Sequence, residues 1–347
     1  MDHANGSSRS AVAAVRALAV AGYRPFVTVS GRPSAAAASR SCAGVLRTPQ
    51  VNSPDFRTAV EDHVATHPGT GLLAASDAVL CALDLPGSSL ADKAALPKLA
   101  EAAGLSTPPT YEFADAATVL DAAGQLEYPI VVKAAVKSGS GEEASRVDSA
   151  ADLPKAMARL LGSVVVQPFA RGAMRSVSGV IADGELLAVA HQRYVRIWPA
   201  DCGTASAAVT TEPDRELERR LPYLLAGHAG VFQVQFVGDQ VIDVNPRVYG
   251  SLPLAVAAGA NLPAIACRAA AGDRPTEVVR ARPGVRYRWL AGDVQRLAHD
   301  VRRGSTTLGA ASRALRPHPG TAPSVESWRD PGPALVRVAE IVRRRLR

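Results

Sequence analysis

Residues 231–247 alternate apolar and polar side chains on both sides of a glycine-aspartate pair, in the string VFQVQFVGDQVIDVNPR. This period-two alternation is typical of an antiparallel hairpin that packs one face on a hydrophobic core. A three-residue loop at 238–240 would place Gln235 opposite Asp243, with Asn245 further along the same face. The opposite face then collects four apolar side chains: Val234, Phe236, Ile242 and Val244.

The polar face of this hairpin is a candidate metal site. Its three oxygen-bearing side chains carry one full negative charge, from Asp243. Mg²⁺ that shares its coordination with substrate phosphates suits such a set, because it needs few carboxylates from the protein. A hairpin with a merely solvated polar face is the alternative, and spacing alone favours neither interpretation.

The length and composition of the chain indicate a folded protein of two or three domains, with 347 residues of which 47% are hydrophobic. There is no charged-then-apolar leader, and Pro253, Asn261 and Pro263 interrupt the most apolar stretch. We therefore expect a cytoplasmic protein without a membrane partner. The four cysteines lie far apart without a CxxC pair, which disfavours a disulfide framework and a zinc site.

The formal net charge of +7 arises mainly from the arginine-rich residues 280–347. A solvated helix face at 334–347 explains this basicity better than a contact with nucleic acid or lipid. We therefore expect nucleic acid not to be a partner, and we assign residues 276–347 to a basic C-terminal extension.

Helical and strand patterns alternate in residues 1–87, which predicts a small parallel α/β domain. Its helices are expected at 10–23, 56–66 and 77–85, and its strands at 25–30 and 71–75. Further along, helices are expected at 92–105 and 148–161, strands at 128–134 and 164–169, and hairpins at 176–195 and 231–244. The first of these hairpins should turn at Asp183-Gly184.

The string DVNPR, with VQF on the partner strand before it and GSLPLAVAAG after it, resembles the metal-binding end of the ATP-grasp superfamily. Carbamoyl phosphate synthetase, biotin carboxylase and the carboxylate-amine ligases belong to this superfamily. The resemblance implies a combination of α/β and α+β architecture. A Rossmann-like parallel domain preceding the ATP-grasp domain would span residues 1–87, and a two-subdomain ATP-grasp fold with antiparallel sheets would span 88–275, with its lid at about 108–167.

The resemblance also implies roles for the hairpin residues. Gln235, Asp243 and Asn245 would be the metal ligands, and Arg247 would neutralise a reacting carboxylate or acyl phosphate. The superfamily usually has glutamate where this chain has Asp243. The shorter side chain implies a looser hold on one of two metal ions.

Further residues would bind ATP by the same resemblance. Lys93 and Lys133 would contact its phosphates, and a glycine-rich loop would close on them. That loop consists of Ser138, Gly139, Ser140 and Gly141. The adenine would lie against a hinge strand through Val166, Gln167 and Phe169, with hydrogen bonds supplied by neighbours of Pro168 such as Phe169, because proline has no N–H.

Arg193 and Arg196 lie on a strand that, by the same resemblance, runs beside the transferred phosphate. They would stabilise an acyl phosphate and the transition state leading to it. The alternative for both is surface pairing with Glu212 or Asp214.

The resemblance implies an ATP- and Mg²⁺-dependent ligase, with Mn²⁺ as a substitute, that joins a small carboxylate to an amine through an acyl phosphate. A bicarbonate-activating carboxylase or a carbamoyl-phosphate-synthase-like enzyme is one alternative. A catalytically decayed nucleotide-binding protein with a basic tail is another.

Overall fold

The computed structural model describes residues 9–31, 34–136 and 144–345, and its N-terminal region is a small α/β unit. The elements of this unit are α1 (Arg9–Val20), β1 (Phe26–Val29), β2 (Gly44–Arg47), α2 (Asp55–Thr66) and α3 (Asp77–Ala82). Strands β1 and β2 pair in parallel. Helix α1 buries its apolar residues 11–15 and Ala17 against the rest of the chain, so this unit is packed on its neighbours as well as on itself.

The helices and the first strand of this region follow the sequence prediction, but the strand expected at 71–75 does not form. The carbonyl groups of Ala74 and Ala75 accept hydrogen bonds from the Val248 N–H and the Ser10 hydroxyl instead of from a neighbouring strand. Strand β2 was not predicted and takes the place beside β1. The region is a parallel α/β unit as expected, with a two-stranded sheet among the described residues.

The next region forms a four-stranded antiparallel sheet in the order β3-β6-β4-β5. Its elements and the helix before it are α4 (Leu96–Ala102), β3 (Tyr111–Phe113), α5 (Ala116–Asp121), β4 (Ile130–Ala134), β5 (Ser145–Val147), α6 (Leu153–Met157) and β6 (Val164–Pro168). One face of this sheet packs on α5 and α6 through a separate hydrophobic core. We refer to β3–β6 with α5 and α6 as the lid sheet.

The largest sheet begins with two antiparallel hairpins. Its first elements are β7 (Met174–Ala182), β8 (Glu185–Trp198), β9 (Thr204–Thr210), α7 (Arg215–Leu224), β10 (Gly230–Val237) and β11 (Gln240–Asn245). Asp183 and Gly184 join β7 to β8 with φ values of 50° and 76°, the left-handed conformation that a two-residue hairpin turn requires. The predicted hairpin at 176–195 is thereby confirmed.

The C-terminal residues complete this sheet, which we call the central sheet. They form α8 (Leu252–Ala257), α9 (Leu262–Ala270), β12 (Val279–Arg280), β13 (Arg286–Arg288), α10 (Leu290–Arg302), α11 (Leu308–Leu315), β14 (Ala322–Pro323) and α12 (Gly332–Arg345). In the described part of the chain the strand order is β11-β10-β7-β8-β9-β13-β14, with β12 beside β8. Residues 276–347, predicted as a basic extension, therefore contribute three strands to the central sheet.

The central sheet is covered on both faces. One face packs on α1, α8 and α9, and the other packs on α4 and α7. The combination of a parallel α/β unit and antiparallel sheets confirms the predicted fold class. No helix within the described ranges is both long and apolar enough to span a membrane.

Candidate active site

The turn between β10 and β11 has two residues, not the three that were predicted. Val237 pairs with Gln240, so Gln240 belongs to the strand. A register shift between Gln235 and Phe236 then restores the expected pairing of Gln235 with Asp243. The oxygen-bearing side chains therefore share one face because a β-bulge compensates for the shorter turn.

The same bulge changes which side chains of β11 are buried. Val241 lies fully buried beside Val234 and Phe236 in the core. Ile242, which was predicted on this apolar face, is only half-buried, and this part of the prediction is wrong. Its carbonyl oxygen instead accepts a hydrogen bond of 2.7 Å from Lys133 Nζ.

The carboxylate of Asp243 is held at the centre of the polar face. Its Oδ2 atom accepts a hydrogen bond of 2.9 Å from Asn245 Nδ2. Its Oδ1 atom is buried and has no hydrogen-bond donor among the described residues. The ammonium group of Lys93 lies 3.8 Å from this oxygen. A buried carboxylate oxygen without a donor is costly, so Asp243 is poised to bind a cation.

Lys93 and Lys133 reach the same cleft from different elements. Both side chains are buried, at 5% and 6% exposure, in contrast to the solvated positions that lysines normally occupy. The Lys93 N–H donates to the Ala135 carbonyl at the end of β4, which follows Lys133 closely in the chain. The lid sheet, the segment before α4 and the hairpin thus bring two ammonium groups and one carboxylate together.

Arg247 lies just beyond β11 and is held by neighbours on both sides. Its Nε atom is 2.5 Å from Oδ1 of Asp77, which is itself 4% exposed, and its Nη2 atom donates to Asn245 Oδ1 at 2.8 Å. Burial acts to lower the pKa of Arg247, but the Asp77 carboxylate outweighs it and raises the pKa above its ordinary value. The guanidinium therefore orients Asn245 and stays charged.

The structure shows the contacts of two polar side chains of β10. Gln235 donates from Nε2 to the Tyr194 hydroxyl at 2.8 Å. Gln233, which the sequence interpretation did not single out, faces Asn245 across the hairpin and is 4% exposed. Its Nε2 atom lies 3.4 Å from the Ser251 hydroxyl. The period-two pattern itself could have revealed Gln233, because it stands two residues before Gln235 on the same face.

The residues predicted to contact adenine lie on β6 or directly after it, and they differ in exposure. The Val166 side chain is buried in the core of the lid sheet, and the predicted place of this residue against adenine stays a prediction. Gln167 is on the opposite face and donates to the Thr110 hydroxyl at 2.8 Å. The Phe169 N–H donates to the Pro129 carbonyl at 2.9 Å, and is therefore committed to the sheet rather than presented to a base.

The predicted phosphate loop of Ser138, Gly139, Ser140 and Gly141 lies outside the described residues.

Arg193 and Arg196 are not beside the polar face of the hairpin, which corrects their predicted position. Arg193 stands between Gln192 and Tyr194, whose side chains point towards the polar face, so its own side chain leaves the opposite face of the sheet. Arg196 forms two hydrogen bonds of 2.6 and 2.8 Å to the buried carboxylate of Asp293 in α10. Arg196 therefore pairs with the buried Asp293 and not with Glu212 or Asp214, the surface partners considered for it.

The arrangement suits one Mg²⁺ ion. Asp243 offers an oxygen that lacks a donor among the described residues. Gln235 uses its amide nitrogen for Tyr194, which leaves its amide oxygen without a donor in the same ranges. Asn245 is oriented differently, since its oxygen accepts from Arg247 and its nitrogen faces Asp243. The carboxylate of Asp243 and the amide oxygen of Gln235 match the oxygen ligands that Mg²⁺ prefers.

Residues 163–293 match the family described as ATP-grasp in the biosynthetic pathway with Ter operon. None of the curated proteins compared with the chain matches it. Solved structures do share its fold. An L-amino acid ligase from Bacillus licheniformis aligns with a TM-score of 0.55 and 16% identity, over 76% of this chain and 72% of the ligase chain.

Two other enzymes show the same likeness. Phosphoribosylamine–glycine ligase from Thermotoga maritima aligns with a TM-score of 0.56 and 15% identity, over 80% of this chain and 76% of its own. The biotin carboxylase domain of 2-oxoglutarate carboxylase from Hydrogenobacter thermophilus, solved with MgADP, ADP and bicarbonate, aligns with a TM-score of 0.55 and 17% identity, over 80% and 71% of the two chains. The family match and the shared fold confirm the resemblance to the ATP-grasp superfamily that the sequence motifs indicated.

Proposed function

We propose that the protein is an ATP- and Mg²⁺-dependent ligase that joins a carboxylate to an amine through an acyl phosphate. The observation that carries this proposal is the convergence of Lys93, Lys133 and Asp243 in one buried cleft between the lid sheet and the hairpin. Buried ammonium groups bind an anion through charge-assisted hydrogen bonds. The phosphates of ATP supply that anion, and the ATP-grasp fold supports their place in this cleft.

The proposed reaction has two steps. A substrate carboxylate oxygen attacks the γ-phosphorus of ATP, which forms the acyl phosphate and releases ADP. The amine nitrogen then attacks the acyl carbon, so that the carbon–oxygen bond to phosphate breaks, inorganic phosphate leaves and the amine loses a proton. Neither step needs a protein nucleophile. The protein contributes positioning and charge neutralisation, the two effects that dominate phosphoryl transfer.

Each residue of the cleft has a task in this scheme. Lys93 and Lys133 would hold the phosphates by charge-assisted hydrogen bonds. Asp243 and Gln235 would hold Mg²⁺, which supplies charge neutralisation on the phosphate oxygens when it is bound. Arg247, through its bond to Asn245, would act as a positioning residue because its charge is already paired with Asp77.

The proposal is tested by substrate-dependent ADP release from purified protein. A panel of carboxylates is offered with a panel of amines, and ADP is measured with a coupled assay. We expect Lys133→Ala and Asp243→Ala to lose this activity while their circular dichroism spectra stay native. Lys155→Ala and Asp239→Ala are the matched controls, because Lys155 is an exposed lysine and Asp239 is an exposed acid in the same hairpin. Undiminished turnover in Lys133→Ala or Asp243→Ala would remove the proposal.

A bicarbonate-activating reaction is a second candidate, since a biotin carboxylase domain with bound bicarbonate shares the fold. If this candidate is correct, bicarbonate alone supports ADP release without any added organic carboxylate. No ADP release under this condition, together with release on an organic acid, excludes this candidate.

A third candidate is a protein that binds nucleotide without turnover. Two observations favour it. The described part of the polar hairpin face carries amides at Gln233, Gln235 and Asn245, with Asp243 as its carboxylate. The Phe169 N–H of the hinge is already bonded to Pro129. Tight ATP binding without ADP release across all acceptors would select this candidate over the ligase.

A further inference from the structure

A second positively charged site lies on the other face of the central sheet. A cavity of about 430 Å³ opens between strands β8, β9 and β13 and the end of helix α11. Six arginines line it: Arg193, Arg196, Arg286, Arg288, Arg313 and Arg316. Its described lining contains no aspartate or glutamate. The cavity lies within the volume range of small-molecule sites, roughly 300–1,000 Å³.

Two of these arginines, Arg196 and Arg288, are held in place by a buried carboxylate. The carboxylate of Asp293 is fully buried and accepts hydrogen bonds of 2.6 and 2.8 Å from Arg196. The same carboxylate lies 3.4 Å from Arg288 Nε, and Arg288 also donates to the carbonyl groups of Ala314 and Leu315 at the end of α11. The Asp293 carboxylate therefore contacts two guanidinium groups, and it connects strands β8 and β13 to helix α10.

The other four arginines have no anionic partner in the described part of the chain. Arg193, Arg286, Arg313 and Arg316 are exposed to the cavity, and none of them forms a side-chain hydrogen bond or ion pair within residues 9–31, 34–136 and 144–345. Arg193 of β8 and Arg286 of β13 are both paired with Val209 of β9, the strand that lies between them. The two arginines therefore lie on the same face of the sheet. The spacing of their backbones is about 10 Å, which leaves room for an anion between the two side chains.

Four unpaired guanidinium groups around one cavity repel one another. This repulsion is relieved if an anion occupies the space between them. Arginine binds phosphate through two parallel hydrogen bonds, which gives a geometric preference as well as a charge attraction. The limited volume of the cavity, about 430 Å³, favours a small ligand over a nucleic-acid backbone.

The cavity is separate from the ATP cleft. Gln192 and Tyr194, the neighbours of Arg193 in β8, turn their side chains towards Ser251 and Gln235 on the hairpin side of the sheet. Arg193 and Arg286 leave the sheet on its other side. A ligand in the cavity therefore cannot touch the Asp243 carboxylate through the intervening strands.

We propose that this cavity is a binding site for a small phosphate-bearing molecule, distinct from the site of ATP. The proposal does not depend on the ligase reaction. It predicts that inorganic pyrophosphate binds to the protein in the absence of Mg²⁺ and of ATP, and that it raises the melting temperature because it binds the folded state alone.

The test uses isothermal titration of the full chain with inorganic pyrophosphate at constant ionic strength. The cavity variant is the double substitution Arg286→Gln with Arg313→Gln, and its matched control is Arg302→Gln with Arg303→Gln at the exposed end of α10. Both variants lose two positive charges. We expect affinity to fall roughly tenfold or more in the cavity variant, and to remain within about twofold in the control. Lys133→Ala should leave this binding intact because it alters the ATP cleft.

Several results would overturn the proposal. They are no detectable pyrophosphate binding, equal loss in the cavity variant and the control, or loss in Lys133→Ala with retention in the cavity variant. A single-stranded oligonucleotide provides a further arm. If it binds and depends on Arg286 and Arg313 while pyrophosphate does not bind, the cavity contacts nucleic acid and the small-molecule proposal is wrong. Citrate in place of pyrophosphate, if it binds more tightly, would reject phosphate as the recognised group.

Discussion

Asp77 at the start of α3 and Arg247 just beyond β11 form a buried ion pair, with 2.5 Å between Oδ1 and Nε, across 170 positions of the chain. The same guanidinium donates to Asn245 Oδ1 at 2.8 Å. The N-terminal α/β unit therefore fixes the orientation of an amide on the polar face of the hairpin. This contact makes the small first region part of the candidate active site.

Removal of one partner of this pair should destabilise the protein strongly. Asp77→Ala leaves the Arg247 charge buried without its carboxylate, and we expect the free energy of unfolding to fall by about 3–5 kcal/mol. Urea denaturation of Asp77→Ala, Arg247→Met and the double variant measures the effect. The double variant should be more stable than the sum of the single losses predicts, since it removes both charges. Strict additivity would show that the two side chains do not interact.

Gln233 offers a test of which face of the hairpin holds the metal. Gln233→Glu adds a buried carboxylate opposite Asn245 on the face that carries Asp243, and without Mg²⁺ we expect the free energy of unfolding to fall by about 2 kcal/mol or more. Mg²⁺ with ATP should restore the stability, because the added charge becomes a metal ligand. The melting temperature in EDTA and in Mg²⁺ with ATP provides the measurement. The exposed Gln50→Glu is the control, and a metal response equal to that control would argue against a metal on this face.

His191 should make the protein less stable in mild acid. Burial lowers the pKa of His191, although the neighbouring Glu218 carboxylate opposes the shift. The folded pKa lies below the ordinary value of 6.5, so the unfolded chain takes up the proton first as the pH falls. The stability from the neutral imidazole is thus present above pH 6.5 and is lost as the pH falls through that value towards the folded pKa.

His191→Gln keeps a donor for Glu218 but does not titrate. Urea unfolding between about pH 5 and 7.5 should therefore show a flatter pH dependence in this variant than in the unmodified protein. The exposed His318→Gln is the matched control, because it removes a histidine from the surface. A pH profile of His191→Gln that coincides with that of the unmodified protein would contradict the predicted direction.

Arg193 should be dispensable for ADP formation, since its side chain leaves the sheet on the side away from Asp243. We expect Arg193→Gln to keep kcat and the KM for ATP within about twofold, whereas loss of a cation that stabilises the transferred phosphate costs about 10²–10³ in kcat. Steady-state ADP release on the substrate pair found by the screen measures this. A loss of a hundredfold or more would restore the role that the ATP-grasp resemblance implied for Arg193.

The main elements could be predicted from local patterns. Alternation of apolar residues identified both hairpins, and the Asp183-Gly184 pair identified the position of one turn, because a left-handed turn needs such residues. The motif around Asp243 indicated the ATP-grasp fold. The turn of the second hairpin was predicted one residue too long, because a bulge between Gln235 and Phe236 leaves no clear mark in the alternation.

The amino-acid sequence by itself thus determined the hairpins and the polar residues on β10 and β11, since these follow from periods of two and from short-range turn chemistry, and its resemblance to the ATP-grasp superfamily indicated the fold class. Tertiary structure alone decided the partners of those residues. Lys93 meets Asp243, and Asp77 meets Arg247, across separations that no local pattern encodes. It also decided the side of the sheet for Arg193, because strand alternation fixes opposite faces but only packing determines which face looks onto the cleft.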